Sequence, residues 1–304
     1  MKKALIAIGY ILMLILAYMV FQGFFTYLAM FAAMLYAVLS GDVSVDVLGE
    51  SIDVLRGAKD LDMILSSSAN GMYIWAMAIG LFLSSLSMLL FIHIIKGYRI
   101  KSDFLRSISS NSLFLSTMLI FSAMLALNIF VQWFSLDDNL KVEFDGLTHN
   151  FLGVITISFL APLLEEVLFR GAIQGYLLRR YSPAVAISVA ALVFGIFHFN
   201  PVQVVYATLL GAVFGWIYYR TGSLLSVVVG HVLNNSIATV MMLLYGDEEL
   251  QALPQGVMSQ ATETASEVFM FVLFASLSLY FAVRLHRAQP AVSKPWRDVG
   301  GEVK

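Results

Sequence analysis

The sequence predicts an all-α, polytopic membrane bundle of about eight transmembrane helices with both termini in the cytoplasm. Three observations lead there. Of the 304 residues, 60% are hydrophobic and only 12% charged, with a mean hydropathy of +0.84; soluble domains carry about 25% charged residues. The apolar residues gather into long runs separated by charged gaps, and about 20 apolar residues of helix suffice to cross a bilayer. Lysine and arginine also alternate between sides: 15 of the 18 fall in alternate gaps, leaving only Arg56, Lys59 and Lys141 for the opposite side. Positive loops are retained in the cytoplasm, which fixes the orientation.

In chain order the runs predict spans at 4–39, 72–95, 113–134, 148–169, 184–199, 202–219, 224–245 and 267–283. The first run has 36 uncharged residues from Ala4 to Leu39 and no small-residue cleavage site, so it reads as a retained first span rather than a signal peptide. One long tilted crossing fits it better than a hairpin, which would bring the acidic 40–71 gap beside Lys2 and Lys3. Residues 42–65 alternate Val45, Val47, Leu48, Ile52, Leu55 and Ile64 with acids and predict a short amphipathic surface helix. The tail after Arg284, with Pro290 and Pro295 among charges, predicts a flexible cytoplasmic end. Three regions follow: N-terminal membrane helices with an amphipathic outer segment (1–146), a core rich in intramembrane polar residues (147–245), and a last helix with its tail (246–304).

Several chemistries are excluded at once. The chain has no cysteine, which removes disulfides, thiolate catalysis and Cys-ligated metals. A net charge of -2 without a basic stripe argues against a nucleic-acid partner. The expected surroundings are membrane lipids.

Ionisable side chains inside a span cost roughly 2.5–3.5 kcal/mol each on insertion scales, so each needs a partner and a use. They are few here. The fourth span contains Ala161-Pro162-Leu163-Leu164-Glu165-Glu166-Val167-Leu168-Phe169-Arg170. On a helix Glu166 and Arg170 lie one turn apart on one face, in the favourable order for an ion pair, while Glu165 points about 100° away. One glutamate can therefore be neutralised while its neighbour stays available as a general base. The fifth span ends in Phe194-Gly195-Ile196-Phe197-His198. Counted from Ser182 in the turn, Glu165 lies 17 residues back and His198 lies 16 forward. In an antiparallel hairpin the two reach similar depth, about 25 Å from the turn. The seventh span adds His231-Val232-Leu233-Asn234-Asn235, in which His231 and Asn235 share a face and suit an oxyanion. Gly195, Gly211, Gly215, Gly222 and Gly230 allow close approach of spans five to seven.

Glu-Glu-x-x-x-Arg, Phe-x-x-x-His and His-x-x-x-Asn, in that order, resemble the signature of the CAAX prenyl protease and bacteriocin-processing (CPBP, Abi) family of intramembrane endopeptidases. The resemblance covers roughly residues 147–245. It implies hydrolysis of a peptide or lipid-modified, prenylated CAAX-type substrate in a multi-pass membrane protein, here of a prokaryotic plasma membrane. Carried over, Glu165 with His198 would activate water, His231 and Asn235 would hold the oxyanion, and Glu166 with Arg170 would brace the site. A metal-free glutamate mechanism is favoured; the alternative is zinc held by Glu165, His198 and His231. The competing functions are a non-catalytic membrane scaffold or immunity protein and a proton-coupled transporter. The transporter would need charge spread along a path, which spans two, three, six and eight do not offer. Outside the motifs, His93, His149 and His286 read as interfacial, and Asn128, Gln132 and Asn150 as hydrogen bonders between helices or to headgroups.

Overall fold

The computed structural model describes residues 2–40, 70–94, 108–134, 147–148, 150–252 and 260–289. Among them are eight helices and no strand: α1 (Lys2–Ser40), α2 (Asn70–Ile94), α3 (Ser110–Gln132), α4 (Phe151–Leu178), α5 (Pro183–Ile196), α6 (Pro201–Thr221), α7 (Leu225–Ala252) and α8 (Gln260–Ala288). The expected amphipathic helix at 42–65 and the tail beyond residue 289 lie outside the described residues. The first apolar run is one unbroken helix, as a single crossing requires, and α8 continues four residues past Arg284.

Seven of the eight helices are long and apolar enough to cross a bilayer. The exception is α5, which the sequence alone extends to residue 199. At 14 residues it is about 21 Å long, against a hydrocarbon core of about 30 Å. Local chemistry sets both of its ends. Ser182 caps the start, with Pro183 in the first turn. At the other end Phe199 takes a left-handed φ of 53°, and Asn200 caps α6 ahead of Pro201. The chain thus turns back immediately after His198. At its far end α6 stops at Gly222, whose φ of 66° closes the helix with a bond from its N–H to Tyr218 O.

The innermost helix is α4, which meets α2, α5, α6 and α7. From Glu166 to Leu178 every residue of it is buried. It is not a uniform α-helix: Thr156–Leu160 and Glu166–Gln174 are π-helical. Such widened turns are rare and concentrate at functional sites. Around this centre α1 packs on α2, and α8 packs on α3. The outward faces of α1 and α8 are apolar, with Leu12, Leu16 and Phe24 on one and Phe269, Val272 and Leu279 on the other. An integral multi-pass protein presents such faces to lipid.

The antiparallel register of α4 and α5 is visible in their aromatics. Phe169 lies 5.0 Å from Phe194 and 5.7 Å from Phe197, ring centre to ring centre. Close packing depends on Gly195, where a Cβ would stand 2.6 Å from Val204 O on α6.

Candidate active site

Among the described residues, buried acid and base meet around Glu166. Glu166 is fully buried and Arg170 is 1% exposed; Arg170 Nη1 donates to Glu166 Oε1 at 3.1 Å. This is the pair expected from their spacing, and its surroundings extend it. Arg170 Nη2 donates to Gly211 O at 3.3 Å, and the guanidinium lies over the rings of Phe194 and Phe214, at 4.3 and 5.2 Å. Gly211 makes this approach feasible, since a Cβ there would lie 3.1 Å from Arg170 Nη2 and 2.9 Å from Phe194.

His231 links the two glutamates across 65 residues of sequence. Its Nδ1 donates to Glu166 Oε1 at 2.8 Å, and its Nε2 faces Glu165 Oε2 at 3.7 Å. Glu166 Oε1 thus serves both Arg170 and His231. The Glu165 side chain retains 19% exposure. Adjacent in sequence, the two carboxylates live in different environments: one sealed and neutralised, the other open.

His198 forms no ion pair with either glutamate. Its Nδ1 donates to Phe194 O at 2.8 Å, so in the neutral ring Nε2 carries the free lone pair. The Phe194 ring meets His198 edge-on at 4.9 Å and His231 at 6.0 Å, which accounts for the phenylalanine of the second motif. Asn235 has polar partners on both sides: Nδ2 donates to Ile157 O and Oδ1 accepts from Asn234 Nδ2, each at 3.0 Å.

Three participants escape sequence reasoning. Gln174, wholly buried, donates to Gly215 O at 2.8 Å, one turn beyond the Arg170–Gly211 bond. Its position four residues after Arg170 was the available signal. Tyr206 OH donates to Asn234 Oδ1 at 3.0 Å; nothing in the sequence pairs these two. Tyr18 of α1 is buried against Phe197, ring centres 5.0 Å apart.

The zinc alternative can be tested on the donors themselves. Ligands sharing one zinc at about 2.0–2.2 Å must converge. Glu165 and His231 Nε2 come near each other, but among the described residues no three His, Cys, Asp or Glu side chains converge closely enough for an ion. Glu165, His198 and His231 as arranged do not fit that centre.

The three motifs and their common site invite comparison with known proteins, and one family model answers. Residues 147–237 match the family described as Rce1-like, the type II CAAX prenyl endopeptidases. The Rce1-like match holds all six expected site residues, ends two residues beyond Asn235, and leaves α1, α2, α3 and α8 outside it. Among curated proteins, the chain is 27% identical over 106 residues to a protein of Bacillus subtilis (strain 168) named "Putative membrane peptidase YdiL". That alignment covers 35% of this chain and 43% of the relative, so the chain spans less than half of the relative's length. No solved structure matches the chain.

Proposed function

We propose that the protein is an intramembrane endopeptidase that hydrolyses a peptide bond of a membrane-associated substrate, CAAX-type prenylated proteins being the leading class, with water activated by Glu165. The observation that carries this is the division between adjacent glutamates: Glu166 is held by Arg170 and His231, while Glu165 keeps 19% exposure and meets only the far nitrogen of His231. A general base must reach water; a bracing carboxylate need not.

In this mechanism a water between Glu165 and His198 Nε2 attacks the scissile carbonyl carbon. Its proton passes to Glu165 as the new C–O bond forms. The oxyanion is met by His231 Nε2–H and by the second amide hydrogen of Asn235. Because Nδ1–H is committed to Glu166, His231 offers a hydrogen from Nε2 only as an imidazolium. Two carboxylates then balance Arg170 and His231, leaving the buried group neutral. When the intermediate collapses, the C–N bond breaks and the proton held by Glu165 passes to the leaving amine.

A metal-free mechanism is supported by the arrangement of Glu165, His198 and His231, which do not converge as three ligands among the described residues. Cytoplasmic termini follow from the one-sided distribution of Lys and Arg. A prokaryotic plasma membrane agrees with the Bacillus subtilis relative.

The test is cleavage of prenylated and unprenylated peptides by purified, detergent-solubilised protein, wild type and Glu165→Ala, with and without a strong chelator. Activity lost in the variant and kept with chelator is expected. Loss on chelation would move the assignment to a metalloenzyme, and equal turnover by the variant would remove Glu165 as base. If no peptide is cut, the scaffold alternative gains.

A further inference from the structure

The hydrogen-bond register of α4 changes at Thr156. Ala161 N–H bonds Thr156 O, five residues back. In that register the donor for Ile157 O is residue 162, and residue 162 is proline, which has no N–H. A carbonyl left unmet inside a membrane bundle is costly. Asn235 of α7 meets it, with Nδ2 donating to Ile157 O at 3.0 Å. The amide is oriented from behind: Tyr206 OH of α6 donates to Asn234 Oδ1, and Asn234 Nδ2 donates to Asn235 Oδ1, both at 3.0 Å. With its oxygen so occupied, Asn235 presents its nitrogen to α4. A second tie follows one turn along α7, where Thr239 Oγ1 accepts from Ser158 Oγ at 3.0 Å and donates to Asn235 O at 2.9 Å.

We infer that Asn235, beyond its proposed oxyanion contact, has a positioning role: it supplies the donor missing at Pro162, and the chain Tyr206–Asn234–Asn235–Ile157 O fixes the α4 turn bearing Glu165 against the α7 turn bearing His231. Glu165 follows Pro162 by three residues and His231 precedes Asn235 by one turn, so the bond at 157 and 235 anchors the strip that ends in the Glu165–His231 approach of 3.7 Å. A displacement of about 1 Å in such a constellation costs about 10²-fold in rate. This deepens the peptidase proposal, on which only the kinetic readout depends.

The experiment makes Asn235→Ala in two backgrounds, wild type and Pro162→Ala, in the full-length detergent-solubilised protein, and reads kcat, KM and melting temperature. The Pro162→Ala substitution restores a backbone N–H in register with Ile157 O. Asn235→Ala is expected to lower the melting temperature and to cut kcat about 10²-fold with KM little changed. In the Pro162→Ala background both losses shrink, and what remains of the loss in kcat is the oxyanion contact, which is lost in either background. Tyr206→Phe follows the same pattern with smaller losses. Equal losses in the two backgrounds overturn the inference, as expected of a residue that acts only on the oxyanion. If Asn235→Ala fails to fold in the wild-type background, recovery of folded protein in the Pro162→Ala background supports the inference and failure in both overturns it. Should the wild type cut no peptide, the peptidase proposal falls while the melting temperatures still decide the role of Asn235.

Discussion

Replacing Arg170 by methionine removes the guanidinium and keeps most of the side-chain volume. Glu166 loses a bond of 3.1 Å and Gly211 O one of 3.3 Å, and Phe194 loses the cation 4.3 Å above its ring. Burial decides which energy scale applies. An exposed ion pair contributes about 0–1 kcal/mol, but with side chains 1% and 0% exposed no water can replace the lost partner. Breaking a buried pair by deleting one member costs about 3–5 kcal/mol, and here it leaves His231 Nδ1 as the remaining side-chain donor to Glu166 Oε1. Restoring neutrality with Glu166→Gln in the same chain should recover much of this. At about 2 °C per kcal/mol for a chain of this size, Arg170→Met should melt about 6–10 °C below wild type, and Arg170→Met/Glu166→Gln should melt above the single variant. Thermal unfolding in detergent, followed by tryptophan fluorescence, measures both. A single-variant loss of less than about 1 kcal/mol, or a double variant no better than the single, would refute the view that Glu166 is a neutralised bracing carboxylate.

Glu165→Gln should lower kcat by at least about 10²-fold with an unchanged melting temperature, since this side chain is open and joins no buried ion pair except at 3.7 Å with His231; peptide cleavage and melting on one preparation check both. Gly195→Ala sets a Cβ 2.6 Å from Val204 O and against Thr208, and backbone cannot rotate away. It should cost about 1–3 kcal/mol or more and open the α5–α6 hairpin, read as lost thermal stability and lowered activity. Asn150 caps α4 by accepting from Leu152 N and Gly153 N at 2.9 and 3.1 Å; Asn150→Ala should cost about 1 kcal/mol in unfolding experiments.

Much of the fold is legible because spans and caps are local properties. Apolar runs place the helices, Ser182 marks the turn before α5, and the Glu166–Arg170 spacing predicts a pair that the structure forms. The shortness of α5 is less legible: Ile196, Phe197 and Phe199 continue the apolar run, and only the left-handed Phe199 before the Asn200 cap shows where the helix has ended. The π-helical turns of α4 are not legible. A shift from four-residue to five-residue bonds leaves no mark in hydropathy, and the contacts beside these turns, Asn235 Nδ2 to Ile157 O and Arg170 Nη2 to Gly211 O, join residues far apart in sequence. Gln174 stood within reach of the same reasoning that paired Glu166 with Arg170, one turn further on; Tyr206 did not, since its partner Asn234 is 28 residues away on another helix.

The sequence by itself determined that the chain lives in a membrane, roughly where its helices run, and that Glu166 and Arg170 pair. Those follow from hydropathy, charge and capping, whose free energies are set within a few turns of chain. Only the tertiary structure decided which nitrogen meets which oxygen. His231 bonds Glu166 at 2.8 Å and faces Glu165 at 3.7 Å, while His198 forms no ion pair with either glutamate, its Nδ1 bonded instead to Phe194 O. Such distances depend on how far each helix slides and turns against its neighbours, and that is fixed by packing between residues far apart in sequence.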